Sequence, residues 1–149
     1  MEKLTIREAK ENDLKDIVLL YTELDEQNFD FEKAKIKFNK LKNNPDHKIY
    51  VAELDFKIIG TFAVVIINSF AHKGRPSAVI EDVAVRKDFQ GKGIGKRMMH
   101  FALEKCSELG CYKMALSSMF KREAAHKFYE SLGFEKMGYS FAISIPVKV

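Results

Sequence analysis

The sequence predicts an α/β (α+β) fold in which one mixed central sheet of about six or seven strands carries helices on both faces. The first half of the 149 residues is rich in short runs of β-branched and aromatic residues, whereas the second half alternates strand, helix, strand, helix and strand patterns. A glycine-rich turn joins the strand and the helix that open this second half. At this length we expect a single domain, residues 1–149, with a core that needs no disulfide or metal.

The N-terminal part predicts one strand followed by two helices. Residues 4–7 alternate apolar and polar side chains, as in a short strand. Asn12 or Asp13 can then cap a helix. The apolar positions at helical spacing in this first helix are Leu14, Ile17, Val18, Leu20 and Tyr21. A second helix is expected over about residues 31–41, and the turn residues around Pro45 end it.

The middle of the chain predicts a hairpin, a loop and a further strand. Residues 48–54 and 57–67 are rich in strand-forming side chains, and Asp55-Phe56 lies between them as the turn. Residues 71–77 then form a loop. An apolar run over residues 79–85 predicts the strand that precedes the glycine turn.

The second half predicts two helices and two more strands. The helix after the turn should last to about Leu109, with an apolar stripe at positions 94, 98, 102, 106 and 109, and Gly110 can end it in the left-handed conformation. A strand is expected over about residues 112–117 and a helix over about residues 122–132. The C-terminus alternates again, which is typical of a last strand with the apolar members Phe141, Ile143, Ile145 and Val147.

Charge and cysteine content argue against several classes of protein. The 25 Lys and Arg and 21 Asp and Glu give a formal net charge of +4, spread along the chain without a zinc-finger or RRM pattern, so we expect no nucleic-acid partner. Cys106 and Cys111 lack histidines at metal-ligand spacing, which predicts free thiols and no metal. The charged start and the lack of a membrane-length apolar run predict a cytoplasmic protein with no membrane partner.

The turn at residues 90–96, Gln-Gly-Lys-Gly-Ile-Gly-Lys, has the properties of a phosphate cradle. Glycines let the backbone turn with its N–H groups inward, and the helix start adds unsatisfied donors and the positive end of a dipole. A P-loop is excluded because neither Lys92 nor Lys96 is followed by Ser or Thr, and a dinucleotide fingerprint would need a third glycine at Lys96. The basic residues in this stretch are Arg86, Lys87, Lys92, Lys96 and Arg97.

The pattern that fits is Gln/Arg-x-x-Gly-x-Gly/Ala directly after a strand, here Gln90, Gly93 and Gly95. Residues 128–134, Phe-Tyr-Glu-Ser-Leu-Gly-Phe, follow at the end of the last predicted helix. Both segments resemble the GNAT superfamily of acetyl-coenzyme A-dependent N-acetyltransferases, over roughly residues 79–134. The resemblance implies the GNAT fold, acetyl-CoA as co-substrate, and a sheet that splays between the strands flanking the glycine turn and its helix, where coenzyme A enters.

Two backbone segments would then hold acetyl-CoA. The amides of the turn would bind the pyrophosphate, and the backbone edge of the preceding strand would pair with the amides of the pantetheine arm. Packing of the strand side chains in the core is compatible with this role. The expected cofactor-binding residues on these segments are Val83, Ala84, Val85, Gln90, Gly91, Lys92, Gly93, Ile94, Gly95 and Lys96.

Glu81 is the predicted general base, which would take a proton from the substrate ammonium through water. In a regular strand it shares a mostly apolar face with Val79, Val83 and Val85, and burial makes a carboxylate a stronger proton acceptor. Family members that acetylate amino-sugar phosphates resemble this stretch and place a carboxylate there. A salt bridge, or an outward orientation created by a bulge, are the alternatives, with Asp82 as the fallback base.

Tyr129 is the predicted general acid, because many relatives use the tyrosine at this point to protonate the leaving thiolate. A core tyrosine is the alternative. Relatives often carry Asn seven residues earlier, where this chain has Arg122. A cation at a helix start opposes the dipole, so an anion such as a coenzyme A phosphate would suit Arg122, and a solvated arginine is the alternative. His126 is expected to be a surface residue.

We therefore expect an N-acetyltransferase that transfers acetyl directly to a primary amine in a ternary complex, because neither cysteine lies at a plausible attack position. A coenzyme A-binding module without transfer activity is the alternative. The acceptor is open among small-molecule amines (amino sugar, polyamine, amino acid) and protein amines, and a homodimer is left open. In the loop before the central strand, His72, Lys73 and Arg75 either bind an anionic acceptor or are solvated.

Overall fold

The computed structural model describes residues 3–25 and 28–148. The chain divides into two compact units, Met1–Leu116 and Ser117–Val149. The organisation as one domain stays a prediction. None of the helices in the described parts of the chain has the length and apolar character that a bilayer crossing requires.

The first unit is built on a five-stranded mixed sheet with the order β1-β2-β3-β4-β5. Strands β1 to β4 are antiparallel neighbours, and β5 joins β4 in parallel. The mixed sheet was predicted, with one or two more strands than the described residues form. The strands are β1 (Leu4–Glu8), β2 (His47–Leu54), β3 (Lys57–Ile67), β4 (Ser77–Val85) and β5 (Met114–Ala115).

The hairpin between β2 and β3 has the two-residue turn that the sequence predicted. Asp55 and Phe56 have φ values of 47° and 65°, and Leu54 pairs with Lys57 across them. A turn with two positive φ values matches the right-handed twist of the strands that it joins. This turn fixes the register of the centre of the sheet.

Helices cover both faces of the sheet, as predicted. On one face, helix α1 packs Ile17 and Leu20 against Val51. On the other face, the ring of Phe101 in helix α3 lies 5.1 Å from that of Tyr50. Consecutive strand residues point to opposite faces of a sheet. Tyr50 and Val51 therefore contact helices that lie on opposite faces. The helices of this unit are α1 (Leu14–Asp25), α2 (Phe31–Leu41) and α3 (Ile94–Glu108).

Helix α3 ends where its glycine signal predicted. Gly110 has φ 73°, and its N–H donates to the carbonyl of Ser107 at 3.0 Å. The N–H of Cys111 donates to the carbonyl of Cys106 at 3.0 Å, which completes a Schellman motif. The predicted apolar stripe is buried at 94, 98, 102 and 106, but Leu109 lies beyond the helix and is exposed.

The second unit contains helix α4 (Glu123–Ser131), close to its predicted bounds. Residues 135–148 carry no regular secondary structure, so the predicted last strand is not found in this chain. A strand requires a hydrogen-bonded neighbour, and no strand of the described residues pairs with this segment. Its alternating apolar side chains are therefore exposed, with Phe141 at 93% and Ile143 at 86%.

Candidate active site

Strand β4 is paired on its β5 side only near its beginning. Ala78 pairs with Met114 and Val79 with Ala115, and the N–H of Ala78 donates to the carbonyl of Lys113 at 2.9 Å. From residue 80 to residue 85, no β5 residue in the described part of the chain pairs with β4. Because β3 occupies the other side, these residues present one open backbone edge, which can pair with an extended ligand.

A β-bulge interrupts this open stretch of β4. Glu81 and Ala84 pair with β3 residues that are separated by a single residue, Phe62, so Asp82 and Val83 together lie opposite it. Asp82 has φ 54°, in the left-handed region. The extra residue reverses which face of the sheet the following side chains occupy.

The bulge corrects the predicted environment of Glu81. Glu81 pairs with Ala63 and Val85 with Gly60, so the two lie on opposite faces and not on one buried face. Glu81 and Asp82 are both exposed. The sequence left open an outward orientation created by a bulge, and this orientation is the one observed. Neither carboxylate is buried, so the burial predicted for Glu81 is absent.

The glycine turn leads from the end of β4 into an uncapped helix. Gly91 and Gly93 have φ values of 74° and 81°, and a Cβ on either would meet no atom within 4 Å. No side chain in the described residues caps α3, whose first intrahelical bond runs from the N–H of Arg97 to the carbonyl of Gly93 at 3.1 Å. The N–H groups of residues 94–96 are the donors that such a helix start leaves for an anion.

Side chains tie the turn to the rest of the first unit. The amide of Gln90 donates to the carbonyl of Val85 at 2.9 Å and so joins the turn to the end of β4. The guanidinium of Arg97 donates to the carbonyl of Leu4 at 3.1 Å and so joins the start of α3 to β1. The ammonium of Lys92 lies 5.2 Å from the centre of the Phe89 ring, which is a cation–π contact within the segment that leads into the turn.

The loop before β4 lies at the opposite end of that strand from the glycine turn. His72, Lys73 and Arg75 precede β4, and its nine residues span about 26 Å at ~3.3 Å per residue. The ring of His72 stacks on Tyr112 with centroids 4.4 Å apart. These residues are therefore remote from the turn, and their part in binding an acceptor stays a prediction.

Tyr21 lies beside the bulge, whereas its spacing in the sequence predicted only a place on the apolar stripe of a helix. Its hydroxyl donates to the carbonyl of Asp82 at 3.2 Å. The two residues are 61 positions apart, so no local pattern connects them. An aromatic hydroxyl on the helix that covers the sheet was the available signal.

Neither cysteine has the properties of a nucleophile. Cys106 is buried, and burial raises the pKa of its thiol to about 11. Burial also raises the pKa of Cys111. Thiols attack as thiolates, which are scarce at neutral pH under these conditions. Among the described residues, no group of three or more His, Cys, Asp or Glu side chains could hold a metal ion.

In the second unit, Tyr129 has the environment of a proton donor. Its ring lies 5.2 Å from that of Phe128 and 5.6 Å from that of Phe134. Burial raises the pKa of its phenol, and the positive charge of Arg122 opposes that rise. The phenol is therefore protonated at neutral pH, as a general acid must be.

Arg122 and His126 lie at and near the start of helix α4. Arg122 is the N-cap residue of the helix and is exposed. A ring nitrogen of His126 lies 2.9 Å from the carbonyl of Met119. His126 thus has a local structural contact, whereas the binding role of Arg122 stays a prediction.

Comparison with known proteins assigns the class. Residues 12–134 match the acetyltransferase (GNAT) family, and the chain belongs to this family. Membership confirms the resemblance that the glycine turn indicated, the mixed α/β fold, and the class of enzyme, an N-acetyltransferase.

Three similar proteins are glucosamine 6-phosphate N-acetyltransferases by name. The chain is 36% identical over 100 residues to a probable glucosamine 6-phosphate N-acetyltransferase of Drosophila melanogaster, covering 66% of this chain and 44% of that protein. It is 31% identical over 129 residues to glucosamine 6-phosphate N-acetyltransferase 1 of Dictyostelium discoideum, covering 83% and 79%. The crystal structure of glucosamine-6-phosphate N-acetyltransferase from Arabidopsis thaliana superposes with a TM-score of 0.84 at 27% identity, over 97% of this chain and 100% of that one.

Proposed function

We propose that this chain transfers the acetyl group of acetyl-CoA to the primary amine of an amino-sugar phosphate. The observation that carries the proposal is the open backbone edge of β4, which leads through the glycine turn into an uncapped helix start. The names of the Drosophila and Dictyostelium relatives support the acceptor class.

The backbone fits the two ends of acetyl-CoA. The peptide group of Val83 and the N–H of Val85 would pair with the amides of the pantetheine arm, because that edge has no β5 partner, whereas the carbonyl of Val85 accepts from Gln90. Amides of residues 94–96 and the turn glycines would bind the pyrophosphate, with Lys92 and Lys96 adding positive charge. The bound acetyl-CoA supplies an acetyl thioester, and no metal is needed for its transfer.

The side chains proposed for proton transfer are Glu81 and Tyr129. Glu81 takes a proton from the ammonium of the acceptor through water, for which its exposure is suited, and Asp82 is the fallback base. Tyr129 gives its phenolic proton to the departing thiolate, for which its raised pKa keeps it protonated. The protonated cysteines favour direct transfer in a ternary complex over an acetyl-cysteine intermediate.

A thiol-release assay with acetyl-CoA and a panel of amines tests the proposal. We expect kcat/KM for glucosamine 6-phosphate to exceed that for glucosamine at least tenfold, since ion pairs with phosphate contribute strongly to binding. Spermidine and aspartate represent the polyamine and amino-acid alternatives. A preference for either would overturn the acceptor class, and binding of acetyl-CoA without release by any amine would identify a binding module.

We also propose that two copies form a homodimer through residues 135–148, in the cytoplasm. Large apolar side chains alternate with small or polar ones along this segment, with exposures of 80–93%, and burial of such a row is favourable by about 1.5–3 kcal/mol per large side chain. The two free thiols suit a reducing compartment. A second copy is the partner that supplies an identical row at equal concentration.

Light scattering coupled to gel filtration tests this assembly. Phe141→Asp should convert a dimer to a monomer, whereas Ser140→Asp, one residue earlier on the other side of the segment, should leave it intact. A monomeric wild type, or equal effects of the two variants, would contradict the dimer.

A further inference from the structure

The bulge in β4 holds a residue with a side chain in a conformation that usually requires glycine. Asp82 has φ 54°, and it has no partner in the register between β3 and β4. In bulges of this kind the left-handed position is normally glycine, because a Cβ there approaches the following carbonyl. Such a conformation persists only where the surrounding structure holds it.

A tyrosine on the neighbouring helix supplies a contact that holds it. The hydroxyl of Tyr21 in α1 donates to the carbonyl of Asp82 at 3.2 Å. This carbonyl belongs to the bulge, where Asp82 has no partner in the register between β3 and β4, and Tyr21 supplies a donor to it from outside the sheet. The ring of Tyr21 is itself placed by Phe29, whose ring centre lies 5.8 Å away.

We infer that Tyr21 is a positioning residue whose hydroxyl keeps Asp82 left-handed and so fixes the backbone of residues 81–84. Its role in turnover rests on the proposed function, because those residues form the open edge of β4 and include both candidate bases. Tyr21 acts through Asp82 and needs no contact with a substrate. An error of about 1 Å in the placement of reacting groups is enough to lower a rate a hundredfold, so a fixed bulge matters to transfer.

The first measurement is backbone amide exchange in the ligand-free protein. Tyr21→Phe keeps the ring and removes the hydroxyl, and we expect exchange at residues 81–84 to accelerate about tenfold relative to wild type, as local opening becomes easier. Thr5→Val removes an exposed hydroxyl on β1 and should change nothing there. Unchanged exchange at residues 81–84 in the Tyr21→Phe protein would overturn the inference, whatever the enzyme does.

The second measurement is a double-mutant cycle on kcat. Tyr21→Phe should lower kcat about tenfold in the wild type and in Asp82→Asn, which removes the carboxylate but keeps a side chain. In Asp82→Gly, where the left-handed conformation has no steric cost, the same change should cost less than twofold.

These outcomes separate the inference from the proposed function. An equal loss in the Asp82→Asn and Asp82→Gly backgrounds would show that Tyr21 does not act through the conformation of residue 82, and no loss at all would exclude a role in turnover. If the wild type releases no thiol with any amine, the proposed function fails, and the exchange measurement still decides whether Tyr21 holds the bulge.

Discussion

The two residues proposed for proton transfer, Tyr129 and Glu81, have different surroundings. Tyr129 is packed between two phenylalanine rings, and burial keeps its phenol protonated. Glu81 is exposed at a bulge, where water has access to its carboxylate. A proton donor benefits from exclusion of solvent, whereas a base that works through water requires access to solvent. The two environments therefore suit opposite roles.

Tyr129→Phe tests the donor. The substitution keeps the ring and its contacts, so the fold should persist, while kcat should fall roughly tenfold to a thousandfold if a general acid is lost. The measurement is steady-state thiol release under conditions where chemistry limits the rate, with Thr5→Val, which removes an exposed hydroxyl on β1, as the control. An unchanged kcat would assign Tyr129 to packing alone.

Glu81→Gln tests the base. The variant cannot accept a proton, so kcat/KM at neutral pH should drop several-fold and recover partly at higher pH, where more of the amine is already neutral. Asp82→Asn should have the milder effect. The check is the pH profile of kcat/KM for both variants with one amine. If Asp82→Asn instead loses activity while Glu81→Gln matches wild type, the base is Asp82, and if neither matters, water removes the proton.

At the scale of elements, the sequence predicted correctly those features that depend on residues close together along the chain. The strand at 79–85, the glycine turn and the end of α3 at Gly110 follow from residue type and period, and all were predicted. The bulge in β4 was left open as one alternative, because it arises from the register with β3, which no local pattern encodes. The apolar alternation of residues 135–148 predicted a strand that is not observed. Alternation describes the conformation of a strand but does not specify the neighbouring strand with which it must pair.

The turn between β4 and α3 gives a test of the cradle as an element. Gly93→Asn and Gly93→Asp introduce side chains of similar size that both tolerate a left-handed backbone, so they differ mainly in charge. We expect acetyl-CoA to raise the Tm of the wild type, a smaller rise in Gly93→Asn, and none in Gly93→Asp, since a carboxylate there repels the pyrophosphate. The measurement is a thermal shift over a range of ligand concentrations.

Equal shifts in the two Gly93 variants would show that charge at the turn is unimportant, and a full shift in Gly93→Asp would place the phosphates elsewhere. Both proteins should be compared without ligand first, because either side chain carries a cost of about 1 kcal/mol relative to glycine at this conformation. That comparison separates loss of folding from loss of binding.

At the scale of the whole first unit, one charged cluster joins parts of the chain that are distant in sequence. The guanidinium of Arg7 in β1 donates to both carboxylate oxygens of Asp13 at 2.7 and 2.9 Å, just before α1 begins. It also pairs with Glu53 in β2. The carboxylate of Asp13 accepts a further bond from the N–H of Lys10 at 2.7 Å. The cluster therefore connects strands β1 and β2 to the start of the helix that covers the sheet and bears Tyr21.

Asp13→Asn should make this connection visible as a pH-dependent loss of stability. Burial alone would raise the pKa of Asp13, but bonds from Arg7 and Lys10 outweigh it and the pKa is lowered. A carboxyl with a lowered folded pKa stabilises above its unfolded value of about 3.9 and loses that contribution as pH falls further. We expect the variant to lose about 2 kcal/mol of unfolding free energy at pH 7, typical for a bond to a charged group, and the gap to wild type to narrow as the pH falls below about 4. Urea denaturation between pH 3 and pH 7 measures this, with the exposed Asp16→Asn as control. A gap that stays constant over that range would mean that the charge of Asp13 does not contribute, and that packing around its side chain accounts for the loss.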